Sequence, residues 1–180
     1  MFYLCQMRFF VELSYNGKQY HGWQIQPNAN TVQGQLNNAF STILNQVVEL
    51  VGAGRTDTGV HAKQMFAHFD FNQEIDAKKT ILQLNGFLPA DIVIHHISKV
   101  KDDAHARFDA NSRTYQYFIT NKKNPFNDNC YSYHKILDVE AMNTACAHLL
   151  GKQDFTSFSK VHTQTYTNDC TIKIRDYTFP

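Results

Sequence analysis

One segment constrains this chain more than any other. Val51-Gly52-Ala53-Gly54-Arg55-Thr56-Asp57-Thr58-Gly59-Val60-His61 is a polar, glycine-rich stretch between two apolar runs, residues 47–51 and 65–71. Both runs are read as strands, so the stretch between them is a loop. Glycines at 52, 54 and 59 permit positive φ or close backbone approach, and they bracket one guanidinium, Arg55, and one carboxylate, Asp57. Two familiar glycine loops are excluded by spacing. Gly54 and Gly59 have the gap of a P-loop, but Val60-His61 stand where Lys-Ser/Thr is required. Gly52-x-Gly54 is followed by Asp57 where a dinucleotide fingerprint has its third glycine, and a strand follows instead of a helix. The loop therefore presents side chains. On composition alone it is an Asp-centred turn.

The periodicities around the loop set the fold class. Residues 8–15 alternate, with Phe9, Val11, Leu13 and Tyr15 on one face and Arg8, Glu12 and Ser14 on the other. Asn16-Gly17 ends that strand with a turn. Thr31 is read as a helix cap, after which Val32, Leu36, Ala39/Phe40, Ile43 and Val47 recur at helical spacing. Beyond the loop, Met65, Ala67, Phe69 and Phe71 alternate with Phe66, His68 and Asp70. Asp76 caps a second helix with Ile81, Leu84 and Leu88 inward, and Pro89 stops it. Residues 92–100 form a fourth strand, on which His95 and His96 are expected to point to opposite faces. The order β-α-β-β-α-β is that of a ferredoxin-like, RRM-like split βαβ unit. The expected class is α+β, an antiparallel or mixed sheet with helices on one side. The first and third strands should be central, and the loop should lie at one end of the sheet.

The polar stretch Lys99-Val100-Lys101-Asp102-Asp103 suggests a boundary, giving an N-terminal domain over residues 1–103 and a partial second α+β unit over 104–180. In the latter, residues 112–121 alternate as a strand with Arg113, Tyr115, Tyr117 and Ile119 on one face, Tyr117 as core. Asp138 caps a helix with Val139, Met142, Cys146 and Leu149/Leu150 inward, and Gly151 is expected at C′. Residues 155–167 read as loop and 170–179 as strand-like.

A net charge of +1 gives no global sign of nucleic-acid binding, so an RNA site would have to rest on local basic patches. Arg107, Arg113, Lys122 and Lys123 make the second half locally basic, and Lys18, Lys63 and Lys160 extend that set. Cys5, Cys130, Cys146 and Cys170 are far apart without a C-x-x-C, and the histidines show no ligand spacing. The expectation is reduced thiols, a cytoplasmic setting, no metal and no cofactor. No apolar run is long enough to span a membrane.

Gly54-Arg55-Thr56-Asp57-x-Gly59-Val60-His61 resembles the catalytic signature of the tRNA pseudouridine synthase A family. The resemblance extends to Tyr15-Asn16-Gly17, Tyr20-His21-Gly22-Trp23-Gln24, Thr31-Val32-Gln33 and Leu88-Pro89-x-Asp91-Ile92. It continues through His105-Ala106-Arg107-Phe108-x-Ala110, Arg113-x-Tyr115-x-Tyr117 and Asp154-Phe155-Thr156-Ser157-Phe158. It implies that Asp57 is the catalytic residue and that Tyr115 stacks on the target base. It implies a tRNA substrate with uridines at positions 38, 39 and 40 of the anticodon arm, and a homodimeric enzyme. Arg55, two residues from Asp57, is read as filling the space of an extruded nucleoside or holding phosphate, against a salt bridge that shapes the loop. Arg107 and Arg113 join it as substrate-binding candidates, and His61 is read as a hydrogen bonder that orders the loop. The family carries a further segment with active-site residues, so this chain is expected to be truncated, to be inactive or severely impaired alone, and to have reduced stability or to pair with another chain along its open edge. The alternative is a non-catalytic RNA-binding module, although residues 63–69 do not match the RNP1 pattern.

Overall fold

The computed structural model describes residues 6–126, 129–158 and 169–173. The chain divides into two compact units after Thr114.

In the first unit, β1 (Met7–Tyr15), α1 (Val32–Leu44), β2 (Val51–Gly52), β3 (Ala62–Phe71), α2 (Ala77–Phe87) and β4 (Ile92–Lys99) follow the predicted order. They make an antiparallel four-stranded sheet in the order β2-β3-β1-β4, with β1 and β3 central. Period-2 alternation decides which face is buried. Phe9, Val11, Leu13 and Tyr15 of β1 join Met65, Ala67, Phe69 and Phe71 of β3 in one apolar cluster. Val32, Leu36, Ala39 and Phe40 of α1 and Leu84 of α2 join it, and the two helices lie side by side. The Phe40 ring meets Phe69 edge-on at 5.0 Å, a favoured aromatic geometry.

Both helices begin where expected. The Thr31 hydroxyl accepts from Gly34 N at 3.3 Å and Asp76 Oδ1 from Lys79 N at 3.2 Å, each satisfying an amide that has no partner within its helix. Helix α1 ends earlier than its apolar stripe, because Asn45 turns left-handed at φ 50°. Val47 is therefore off the helix and 82 % exposed, which corrects its place in the stripe. The strand expected over 47–51 is reduced to Val51–Gly52. Side chains of α1 take its backbone groups instead. Ser41 Oγ accepts from Val48 N at 2.9 Å, Asn37 Oδ1 accepts from Leu50 N at 3.0 Å, and Gln33 Nε2 donates to Leu50 O at 2.7 Å.

The edge strand β4 contains an irregularity. Glu12 lies opposite His96 while Leu13 lies opposite Ile94, so His95 is an extra residue. Ile94 and Ile97 both reach the core and both histidines are exposed, which corrects the opposite-face expectation. His95 Nε2 lies 2.8 Å from Ser14 Oγ. Asn85 of α2 bonds both the N–H and the C=O of Ile94, at 2.8 and 2.9 Å, and so occupies part of the free edge of β4.

The chain stays on this unit past residue 103. Arg8 Nη1 donates to Ala104 O at 3.0 Å, while its Nε and Nη2 clasp Asp70 at 2.7 and 2.8 Å. Ala106 N donates to His68 Nδ1 at 3.2 Å, and the His105 ring meets the His68 ring at 4.5 Å. This turn buries His68, which alternation had assigned to the open face. Burial first, then the nearby charges of Arg8 and His105, push His68 down to about 4. The bond from Arg8 holds Asp70 below its ordinary range.

In the second unit, β5 (Ile119–Thr120) pairs in parallel with β6 (Tyr131–Ser132), α3 (Val139–Ala147) follows, and β7 (Gly151–Asp154) pairs with β8 (Asp169–Ile172). Four expectations are corrected here. The strand over 112–121 shortens to two residues, because β6 supplies only a two-residue ladder. Tyr117 is 80 % exposed, not core. No residue of α3 is buried, so its predicted inward stripe packs on little. Its C-cap is His148, which leaves Gly151, at φ +90°, to open β7. Lys160 and most of the strand expected over 170–179 lie outside the described residues. No described helix is long and apolar enough to cross a membrane.

A buried histidine held neutral predicts an acid-sensitive fold. The unfolded chain takes up this proton below pH ~6.5 and the folded protein only near pH 4, so stability present above 6.5 is lost as pH falls through that window. Urea midpoints measured between pH 7 and 4 should decline by at most about 3 kcal/mol in stability from this group. The decline should shrink in His68→Gln.

Candidate active site

The loop between β2 and β3 rests on the segment that follows β1. Trp23 N donates to Thr56 O at 3.1 Å and Gly59 N to Tyr20 O at 3.2 Å. Gly17 N donates to His61 Nδ1 at 2.9 Å, the ordering bond expected of that histidine. The Tyr15 hydroxyl, in a side chain 4 % exposed, lies 2.8 Å from Thr56 Oγ1. The segment is held in turn by α1, whose Val32 and Gln33 amides donate to the carbonyls of Gly22 and Trp23 at 3.2 and 3.0 Å. These amides open a helix and have no partner within it, so the helix start and the clasp satisfy one another.

Backbone approaches backbone so closely here that side chains are excluded. A Cβ on Gly17 would overlap Val60 O, and one on Gly22, itself at φ +88°, would overlap Thr56 O. Gly59 has φ +80° with Val60 N bonded to Asp57 O at 3.2 Å, the geometry of a type II turn with glycine at its third position. Asp57 thus opens a tight turn fixed on both sides.

The side chains at the crest differ from this fixed backbone. Asp57 and Arg55 are both exposed, and no described residue makes a hydrogen bond or ion pair with either side chain. A salt bridge from Arg55 to a described residue, one of the two roles weighed for it, is thus absent. Arg113 is already engaged: its Nη2 donates to Ala53 O at 2.8 Å and to Arg107 O at 3.0 Å, tying the start of the loop to the 104–109 turn. The Arg107 guanidinium lies 5.8 Å from the centroid of the Phe108 ring. Tyr115 begins the second unit and is 81 % exposed. The structure therefore gathers Arg55, Asp57 and Arg113 on or beside one loop, with Arg107 bonded to Arg113 through its carbonyl.

Sequence reasoning missed the partnership of Tyr20 with Asp91, whose hydroxyl-to-carboxylate bond is 2.5 Å, and that of His68 with Ala106. Both pairs span distant parts of the chain, so only the folded topology reveals them.

An antiparallel α+β unit carrying an exposed carboxylate on a clasped loop defines the site class. Comparison with known proteins then assigns the lineage. The family described as tRNA pseudouridine synthase matches residues 13–109, which include the loop and the 15–23 segment that clasps it. The tRNA pseudouridine synthase A of Bacteroides thetaiotaomicron is 50 % identical over 172 residues, covering 95 % of this chain and 64 % of that protein. That of Bacteroides fragilis is 50 % identical over 173 residues, covering 95 % and 69 %. That of Porphyromonas gingivalis is 53 % identical over 169 residues, covering 92 % and 67 %. This chain belongs to the tRNA pseudouridine synthase family, and it spans about two thirds of the length of these curated relatives.

The clasp predicts opposite outcomes at two glycines. Gly22→Ala should destabilise the unit by roughly 1–3 kcal/mol, through overlap and left-handed strain. Gly86→Ala, in α2 with nothing within 4 Å of the added methyl, should stabilise by roughly 0.5–1 kcal/mol. Chemical denaturation of the two variants checks both signs.

Proposed function

We propose that this chain is the catalytic portion of a tRNA pseudouridine synthase that isomerises uridine to pseudouridine at positions 38, 39 and 40 of the anticodon arm. The observation that carries the reading is Asp57, an exposed carboxylate without a described partner, held on a backbone clasped from both sides. The reaction breaks the N1–C1′ bond, turns the base and joins C1′ to C5, from which a proton leaves to solvent. A carboxylate fixed at the crest of a loop can serve as nucleophile or as base, and carboxylates act as covalent nucleophiles at sugar centres. A uridine within a stem must first be extruded, at a cost of a few kcal/mol.

Arg55, Arg107, Arg113 and Tyr115 are the substrate-binding residues in this reading. Arg55, two residues before the acid, is exposed and has no partner among the described residues, which suits it to a phosphate or to the space an extruded base leaves. Tyr115 offers an exposed ring, and base–aromatic stacking contributes roughly 1–3 kcal/mol while tolerating rotation of the base. Arg113 contributes through the loop it ties as well as through its charge. In this reading the enzyme works in the cytoplasm and acts on tRNA as a homodimer.

Asp57→Asn removes the charge with little change of shape. Its thermal midpoint should match the parent protein's, because the carboxylate is exposed. Release of tritium from C5-labelled uridine in a tRNA transcript should fall at least about a thousandfold. Retained release would exclude Asp57 as the catalytic group.

A further inference from the structure

Two motifs take no part in the chemistry at the crest of the loop, yet they meet beneath it. Tyr20, 3 % exposed, donates its hydroxyl to Asp91 Oδ1 at 2.5 Å. Asp91 stands just before β4, and its main-chain carbonyl accepts from Asn16 N at 2.8 Å, so it is anchored to the end of β1. Burial first, and then the bond to Asp91 and its charge, hold the Tyr20 phenol protonated well above its ordinary range. The hydroxyl is thus a committed donor to a charged acceptor, and such bonds are roughly twice as strong as neutral ones. At its other end Tyr20 acts through its backbone. Its carbonyl accepts from Gly59 N at 3.2 Å, and Gly59 lies within the turn that Asp57 opens. A continuous path of bonds therefore runs from the start of β4 through Tyr20 to the turn that carries the acid.

The path holds the downstream side of that turn. Upstream, Thr56 is held by Trp23 N and by the Tyr15 hydroxyl. Downstream, the Gly59 amide meets Tyr20, and the next side-chain tie is the bond between His61 and Gly17 N. Loss of the Tyr20 tie would leave Asp57 fixed on one side, at the end of a segment free to pivot. The carboxylate has no described hydrogen-bond partner, so its direction depends on its backbone.

We propose that Tyr20 and Asp91 are positioning residues for the reaction. Their bond sets the place of the Gly59 turn and so the direction in which Asp57 is presented to the nucleoside. The proposal rests on the role given to Asp57 under Proposed function. It departs from a purely structural role because it predicts a loss in turnover with folding and tRNA binding kept.

Tyr20→Phe keeps the packed ring and removes the donor. Asp91→Ala removes the acceptor, and Asp91→Asn keeps one. In tritium-release kinetics on the full chain, Tyr20→Phe and Asp91→Ala should each lower kcat about 10- to 100-fold, with KM for tRNA within about threefold. The double variant should be no worse than either single one, since both break the same bond. Asp91→Asn should recover most of the rate. Amide hydrogen exchange on the same proteins should show faster exchange at Gly59 in both single variants, while amides of the β1–β3 ladder keep their protection and report an intact fold. Unchanged kcat, additive losses, or unchanged exchange at Gly59 would each overturn the proposal. Release by the parent protein that survives Asp57→Asn would instead overturn the functional reading, and the Gly59 exchange would then still decide whether the strut exists.

Discussion

The approach of two backbone segments, residues 15–23 and 52–61, is the constraint on which the rest of the first unit depends. It is possible only because Gly17, Gly22 and Gly52 lack side chains where Val60, Thr56 and the Trp23 ring press against them. The elements serve this contact from several directions. Strand β1 delivers Tyr15 beneath Thr56, α1 begins with amides bonded to Gly22 and Trp23, and β3 receives the chain as it leaves the loop. The apolar cluster under the sheet stabilises these elements against one another, and burial of that kind is the main favourable term in folding. The contact converts that stability into a fixed course for a loop that has almost no core of its own.

The result is a division of labour within the loop. Its backbone groups at Thr56 and Gly59 are committed to the clasp and the Ala53 carbonyl to Arg113, while the Arg55 and Asp57 side chains are left to solvent. Preorganisation of this kind lowers the cost of aligning a reacting group, since the ordering has already occurred on folding. The family match covers residues 13–109, the same span that contains the clasp, the turn over His68 and the Tyr20–Asp91 bond. Motifs that look like separate signatures along the chain are mostly members of a single hydrogen-bonded support.

The first unit was legible in the sequence because burial follows period there. Alternation in residues 8–15 and 65–71 identified the buried faces of β1 and β3, and Thr31 and Asp76 marked two helix starts that their side chains do cap. The failures have local causes. Residues 47–50 have strand composition, but Asn37, Ser41 and Gln33 capture their backbone groups, and propensity carries no trace of that competition. His95 and His96 share exposure because a bulge resets the alternation, and register is a property of two strands rather than one. In the second unit the alternation of Tyr115, Tyr117 and Ile119 does not translate into burial, since a pattern predicts a face only where a partner covers it. Asp57 and Arg55 were legible as residues, through resemblance of the loop, whereas the bonds that hold them were not.

The central claim is that folding sets the loop in its working course and leaves the acid free to meet a nucleoside. A crystal structure of the protein bound to an anticodon-arm RNA tests it most directly. The account predicts a loop backbone superimposable on that of the free protein, with the bonds at Thr56, Gly59 and His61 kept. It also predicts the Asp57 carboxylate within about 3–3.5 Å of the target nucleoside. A loop rebuilt around the RNA, or another side chain at the reacting atoms with Asp57 turned away, would contradict it.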